Sequence, residues 1–197
     1  METEHDLGVY LFHQGTNYQA YDMMGVHFLE NKVVFRVWAP HAERIFVVGD
    51  FNDWENTLPM TRITEGGVWE ASILKERVLE GSCYKYKIVF CGREFFKADP
   101  YAFASERPSA TASIVTSLEG YDWRDEGWLE YRASRQKTKH SEPMNVYELH
   151  LGSWKRHKDG SYYSYSELAC ELSTYVKQMG YTHVELMPVM EHPFDGS

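Results

Sequence analysis

The sequence has little cysteine and no clear pattern of metal ligands. Its three cysteines, Cys83, Cys91 and Cys170, include no C-x-x-C pair. An odd, scattered set argues against a disulfide framework and against a zinc ribbon, so we expect all three to be small buried side chains. The nine histidines contain no H-E-x-x-H motif. We therefore expect no bound metal and no other cofactor.

Long apolar runs and an excess of positive charge are also missing. No apolar stretch approaches the ~20 residues of a membrane span, and the start, METEHD, lacks the basic and apolar regions of a secretory signal. Acidic residues outnumber basic ones 29 to 20, for a net charge of −9, so nucleic-acid phosphates would be repelled. We expect a cytoplasmic protein that binds neither nucleic acid nor a membrane.

What the sequence does contain, from about Lys32 to Val115, is alternation of apolar and polar residues in short runs between turn signals. Such alternation is typical of antiparallel strands with one face in water. About six strands at this spacing predict a mainly β fold, an immunoglobulin-like β-sandwich. The residues expected to face inward are Phe35, Val37, Ile45, Val47, Phe51, Trp69, Ala71, Ile73, Tyr84, Tyr86, Ile88 and Phe90.

The pattern changes in the last third of the chain. "MNVYELHL" and "YTHVELMPV" predict two strands, and the stretch between them predicts a helix with a Ser164–Glu167 capping box and Gly180 at its end. A β-α-β unit of this kind forms parallel strands. Two strands and one helix do not close a barrel, so the fold expected here is an incomplete (β/α) TIM-barrel segment.

Four segments are therefore expected. Residues 1–25 are a leader, residues 26–118 the β-sandwich, residues 119–143 a charged connector without a sustained period, and residues 144–197 the β-α-β unit.

One short stretch, "GDFNDWE", places Trp54 after a predicted strand and turn. An exposed indole is a good platform for the apolar face of a sugar ring, and the outward-facing Lys85 and Lys87 could bond sugar hydroxyls. Alternatively, Trp54 folds back as a plug under the hairpin. The residues themselves leave both interpretations open.

Several acidic and histidine side chains lie in or after the two later strands. Retaining glycoside chemistry needs two carboxylates about 5 to 5.5 Å apart, at the carboxyl ends of barrel strands. A charged residue inside a barrel strand is more often paired structurally, and two strands do not supply a complete catalytic pair. The residues considered are Glu148, Glu185, Glu191 and Asp195, with His150 and His192 as possible sugar contacts.

Several motifs, in this order, resemble the bacterial 1,4-alpha-glucan (glycogen) branching enzymes. "VVFRVWAPHAERIFVVGDFNDWE" and "KADPYA" look like their family-48 carbohydrate-binding module, while "YELHLGSWKR" and "ELMPVMEHPFDGS" look like the opening of their alpha-amylase-type catalytic barrel. The resemblance implies a transferase that makes α-1,6 branches in glycogen by retaining transglycosylation. The family's catalytic Asp, Glu and Asp have no counterpart in this chain, so we expect no catalytic residue here and no activity of the chain alone.

The same resemblance implies a glucan-binding site. It transfers to Trp54 and Lys87, and the family's second aromatic platform falls near Glu94, where Phe95 is the available substitute. The implied partners are α-glucan, as glycogen or amylose, and the C-terminal part of the enzyme. The alternative is a stand-alone glucan-binding protein, which the open edge of an unpartnered parallel sheet disfavours.

Overall fold

Two units divide the chain, Met1–Asp122 and Trp123–Ser197. The structure is a computed structural model, and it describes residues 2–107, 109–135 and 141–190. Within the described ranges, none of the helices combines the length and the apolar character of a membrane span. The same residues bring together no group of three or more His, Cys, Asp or Glu side chains that could hold a metal ion.

The first unit begins with helix α1 (Glu2–His13) and continues in short strands. The strands are β1 (Gly25–Phe28), β2 (Lys32–Trp38), β3 (Arg44–Gly49), β4 (Leu58–Pro59), β5 (Thr61–Arg62), β6 (Val68–Leu74), β7 (Cys83–Phe90), β8 (Arg93–Lys97), β9 (Ala104–Ser105) and β10 (Ser113–Ile114). Short 3₁₀ helices lie at Ala20–Asp22, Asp50–Asn52 and Lys75–Arg77.

These strands form two antiparallel sheets. One has the order β1-β2-β6-β5, and the other has the order β4-β3-β7-β10-β9, with β8 also paired to β7. Each described pair in the two sheets is antiparallel, as the alternation predicted. The mainly β character expected of this part of the chain is confirmed.

An apolar core lies between the two sheets. It takes Phe35, Val37, Trp69 and Ala71 from one sheet and Ile45, Val47, Tyr84 and Tyr86 from the other. Phe51, Ile73 and Ile88 are partly buried and pack against it. Each large apolar side chain that is fully buried contributes about 1.5–3 kcal/mol. These eleven inward assignments are confirmed.

The twelfth inward assignment, Phe90, is wrong, because this side chain is 44% exposed. The pairing of β7 with β3 ends at Val89, opposite Arg44, and Phe90 pairs only with Arg93 across the hairpin turn. Phe90 therefore lies beyond the part of the sheet that covers the core.

The expectation that all three cysteines are buried is also wrong. Cys91 and Cys170 are exposed and Cys83 is only partly buried. Cys91 lies in the turn that follows the end of β7 at Phe90. Cys170 lies on a helix whose buried residues are Leu168, Leu172 and Val176.

One carboxylate is buried in the first unit. Asp99 is only 5% exposed, and its Oδ2 accepts hydrogen bonds from the hydroxyls of Tyr84 (2.8 Å) and Tyr86 (2.9 Å). The Asp99 backbone N–H donates to Ser113 Oγ at 2.8 Å, and Asp99 Oδ1 accepts from the Tyr101 N–H at 2.8 Å. Burial raises the pKa of Asp99, and the three donors oppose that rise.

The second unit contains helix α2 (Glu126–Ser134), strand β11 (Val146–Leu149), helices α3 (Leu151–Trp154) and α4 (Tyr165–Met179), and strand β12 (His183–Leu186). Strands β11 and β12 are parallel, so the predicted β-α-β unit is confirmed. Its small core contains Leu149, Leu172 and Val176.

Both ends of α4 follow the sequence signals. Ser164 Oγ accepts from the Glu167 N–H at 3.3 Å, while Glu167 Oε2 accepts from the Ser164 N–H at 2.8 Å. Gly180 ends the helix with φ +78°. Helix α2 was not predicted, because no side chain of this helix is buried and the segment therefore shows no apolar stripe.

Candidate functional site

The turn that carries Trp54 has an unusual backbone. Strand β3 ends at Gly49, the 3₁₀ helix Asp50–Asn52 follows, and Asp53 and Trp54 then adopt left-handed conformations with φ of 52° and 61°. A bulky residue in this region is rare and costs free energy. Strained backbone of this kind concentrates at binding sites, so it motivates a functional hypothesis.

The side chain of Asn52 holds this turn together. Its Oδ1 accepts from the Gly49 N–H at 2.8 Å, and its Nδ2 donates to the carbonyls of Val47 at 2.9 Å and Glu55 at 3.0 Å. The Trp54 N–H donates to the Gly49 carbonyl at 3.0 Å. These contacts maintain the strained conformation before any ligand arrives.

The indole of Trp54 is oriented by Asp50. Trp54 Nε1 donates to Asp50 Oδ1 at 3.0 Å, and Asp50 Oδ2 accepts from the backbone N–H of Cys83 at 2.7 Å. Trp54 is 39% exposed and lies outside the buried core cluster. Its indole is thus fixed at one edge, next to the first residue of β7, and is accessible from solvent.

Acidic groups surround this end of β7. Burial, followed by the carboxylates of Glu106 and Asp50, raises the pKa of the Cys83 thiol. Two carboxylates, those of Asp50 and Glu106, therefore lie near this end of β7.

Lys87 lies on the outer face of the same strand, because its neighbour Tyr86 faces the core. Its Nζ is 2.9 Å from Glu94 Oε2 and 5.7 Å from the centre of the Phe96 ring, and the side chain is only 12% exposed. The ammonium group of Lys87 therefore already forms an ion pair with a carboxylate of β8 and a cation–π contact with an aromatic ring of the same strand. Lys85 Nζ is likewise bonded, to Thr111 Oγ1 at 2.7 Å.

The pairing of β7 with β8 separates Phe95 from Lys87. Directly paired residues in antiparallel strands share a face, and Phe95 is paired with Ile88, which packs against the core. Phe96 is paired with Lys87 on the outer face and is 54% exposed. The structure thus brings Lys87 together with Phe96 and places Phe95 on the opposite face of the sheet.

Phe96 is a candidate site residue that the sequence reasoning missed, because it lies beside Lys87. Strands β7 and β8 are joined by two residues, Cys91 and Gly92, and both have positive φ, 48° and 68°. A two-residue hairpin loop of this type determines which residues are opposite one another. Cys91-Gly92 is the sequence signal of such a turn, and that turn predicts the pairing of Phe96 with Lys87.

Trp54 and Lys87 do not touch. Trp54 is joined through Asp50 to Cys83, and Lys87 is four residues further along β7, a distance of about 13 Å in an extended strand. A ligand that contacts both ends must therefore be an extended oligomer.

The candidate carboxylates of the second unit lie side by side. Glu148 and Glu185 are in register on parallel strands, and both are exposed. A cavity of ≈ 290 Å³ at the carboxyl ends of these strands is lined by His150, Tyr162 and Tyr165 among others, and by neither glutamate. His150 Nδ1 is 3.0 Å from Ser153 Oγ. Glu191, His192 and Asp195 lie outside the described residues.

Comparisons with known proteins agree with this fold. Residues 23–102 match the model of carbohydrate-binding module 48, the isoamylase N-terminal domain. The chain is 48% identical over 198 residues to the 1,4-alpha-glucan branching enzyme of Bacillus caldolyticus, covering 98% of this chain and 29% of that enzyme. The enzyme of Geobacillus stearothermophilus is 46% identical, with 98% of this chain and 30% of the enzyme covered.

A solved structure is also similar. The maltotriose complex of PulA from Klebsiella pneumoniae superposes with a TM-score of 0.59 at 25% identity, covering 89% of this chain and 21% of that one. Together with the two antiparallel sheets, these findings make the first unit similar in fold to a carbohydrate-binding domain.

Residues 23–102 are similar to carbohydrate-binding module 48. Nearly the whole chain is similar to bacterial 1,4-alpha-glucan branching enzymes, and it spans 29% to 30% of the length of the two enzymes compared. The resemblance that the motifs indicated is confirmed to this extent.

Proposed function

We propose that this chain supplies the glucan-binding module and an adjoining segment of a 1,4-alpha-glucan branching enzyme. Its similarity to such enzymes over 98% of its residues supports this. In the complete enzyme, a carboxylate would open an α-1,4 bond and hold the cut chain as a covalent glycosyl-enzyme. The 6-hydroxyl of another glucan would then displace the carboxylate and form an α-1,6 branch.

Residues 144–197 would be the first β-α-β of the (β/α)₈ catalytic barrel. The parallel pairing of β11 with β12 and the helix between them support this assignment. So does the cavity at the carboxyl ends of these strands, which is where barrel enzymes place their sites. The leader at 1–25, the sandwich at 26–118 and the connector at 119–143 complete the proposed organisation. A cytoplasmic location, with no nucleic-acid or membrane partner, stays a prediction from composition.

The first unit would bind α-glucan along β7. The strained, hydrogen-bonded turn that presents a partly exposed Trp54 indole is the observation that carries this proposal. The indole would stack on the apolar face of one glucose residue, and the glucan would extend along β7 toward Phe96, which is paired with Lys87 about 13 Å from Cys83. The acceptors near Cys83 would bond sugar hydroxyls, and Lys87 would remain paired with Glu94.

Replacing the indole tests the proposed site. Trp54→Ala should weaken retention on a native gel that contains glycogen, because an aromatic platform is worth roughly 0.5–1.5 kcal/mol beyond its buried area, which is about a two- to twelvefold change in affinity. Trp128→Ala, which removes another exposed indole, is the matched control. If Trp54→Ala and the parent chain migrate alike while the parent is retarded, glucan binds elsewhere.

A further inference from the structure

A cleft of ≈ 680 Å³ is bounded by the turn that carries Trp54 and by the end of β6. Asp53 and Glu55, the two neighbours of Trp54, line this cleft, whereas Trp54 itself does not. The turn therefore contributes to two separate surfaces, the indole on one and its flanking carboxylates on the other. The volume lies within the range of small-molecule sites, about 300–1,000 Å³.

The cleft combines an apolar floor with a polar rim. Phe51, Leu58 and Ile73 are partly buried and pack against the sandwich core, so their positions are fixed. Thr57 and Ser72 add hydroxyl groups at the rim. A few polar groups around an apolar surface are what a sugar ring needs, since its faces are apolar and its edge carries hydroxyls.

The charges favour a neutral ligand. The lining contains the carboxylates of Asp53 and Glu55 and the guanidinium of Arg77, all exposed. Within the described ranges, none of these three side chains has a hydrogen-bonding or ion-pair partner. Two carboxylates can accept hydrogen bonds from sugar hydroxyls, and one guanidinium can donate to them. The excess negative charge would repel a phosphorylated sugar.

The cleft wall is also held in place before binding. Asp53 has a left-handed backbone, and the Asn52 side chain bonds Gly49, Val47 and Glu55 around it. A wall that does not reorganise loses less conformational entropy when a ligand binds.

We propose that this cleft is a second α-glucan site, distinct from the Trp54 surface and independent of its indole. Arg77 donates to sugar hydroxyls, Asp53 and Glu55 accept from them, and Phe51 and Ile73 support the ring. The ligand class rests on the proposed glucan function, while the cleft and its unpaired polar groups do not.

Amide chemical shifts of the full chain, recorded during titration with maltotriose, test the proposal. We expect two groups of shifted amides, one around Trp54 and Cys83 and one around Ser72 and Arg77. In Trp54→Ala the second group should persist with an unchanged dissociation constant. In Arg77→Ala the dissociation constant of the second group should rise about tenfold, because a charge-assisted hydrogen bond is lost. Arg93→Ala, which removes an exposed arginine outside the cleft, should change neither group.

A second variant blocks the cleft without removing charge. Ser72→Phe fills it from the end of β6 and should abolish the second group of shifts while the first remains. If no amide of the cleft shifts up to the solubility limit of maltotriose, the second site is refuted even when the Trp54 group responds. If only the cleft group responds, the Trp54 surface is refuted and the cleft stands.

Discussion

Among the described residues of the first unit, left-handed backbone at residues other than glycine occurs in two places, the turn of Asp53 and Trp54 and the hairpin loop at Cys91. At the first, the hydrogen-bonded side chain of Asn52 holds the strained turn of Trp54, so the strain coincides with the proposed binding surface. At the second, Cys91 is exposed and only its backbone N–H has a described partner, Glu43 Oε1 at 3.0 Å. The backbone strain at Cys91 therefore accompanies the hairpin turn and no candidate site, so a substitution that relieves it should stabilise the chain.

Asparagine should suit the hairpin loop better than Cys91 does. Asn-Gly is the favoured pair in a two-residue loop with two positive φ values, so Cys91→Asn should raise the free energy of unfolding by about 0.5–1 kcal/mol. Urea denaturation followed by fluorescence measures the change. Cys170→Asn, at an exposed helical cysteine, is the control and should not stabilise the chain. A Cys91→Asn variant with an unchanged or lower midpoint would contradict the prediction.

The buried Asp99 should make stability depend on pH. Since burial raises its pKa above the ordinary value of 3.8, the folded chain keeps a proton that the unfolded chain releases. The contribution of Asp99 to stability is therefore greatest below pH 3.8. It falls as the pH rises from there through the raised pKa of Asp99 in the folded state.

Urea midpoints measured across that window, for the parent chain and for Asp99→Asn, separate this effect from that of other carboxylates. The amide of Asp99→Asn does not titrate, so the difference in stability between variant and parent should drift steadily in favour of the variant as the pH rises. Parallel profiles for the two chains would contradict the prediction, because they would show that the pKa of Asp99 is the same in the folded and the unfolded state.

Among the elements, the four longest strands of the sandwich, β2, β3, β6 and β7, and helix α4 were predicted, and α2 was not. The strands alternate because one sheet face meets the core, and α4 has an apolar stripe with a cap at each end. Helix α2 buries none of its side chains, so neither period appears in its sequence. The alternation also gave a wrong inward prediction for Phe90, because β7 extends beyond the end of its pairing with β3.

The capping box of α4 gives a test at this scale. Ser164→Ala removes the acceptor of the Glu167 N–H, which should destabilise the helix by about 1 kcal/mol and speed hydrogen exchange of its first-turn amides. The pKa of Glu167, which bonds from Ser164 hold below its ordinary value, should rise toward that value. Ser173→Ala, in the middle of the same helix, is the matched control and should do neither. Unchanged exchange in Ser164→Ala would show that packing alone maintains the first turn.

At the scale of the whole molecule, two units with separate cores carry different parts of the proposed enzyme. The first has a complete two-sheet core. The second has two described strands, whereas a (β/α)₈ barrel takes about 250 residues and eight strands. The proposed binding function therefore belongs to the first unit, and the proposed chemistry needs a larger assembly of strands than these two.

We expect the purified chain to have no branching activity on amylose. Glu148 and Glu185 are exposed and line no part of the cavity at the strand ends, so they do not flank a bound glycosidic bond. Iodine staining of amylose after incubation measures branching, with the Bacillus caldolyticus enzyme as the positive control. Loss of stain with the chain alone would contradict the prediction, and Glu148→Gln and Glu185→Gln would then show whether these carboxylates are responsible.

Local patterns in the sequence determined the longer strands, the caps of α4 and eleven of the inward-facing residues, because alternation and capping depend on neighbours within a few positions. The motifs determined the similarity to carbohydrate-binding modules and branching enzymes. Only the tertiary structure decided that Phe96 rather than Phe95 shares a face with Lys87. It also decided that Glu94 forms an ion pair with Lys87 and that a cleft adjoins the Trp54 turn. These features arise where segments distant in the chain are packed together, and no local period records which segments will meet.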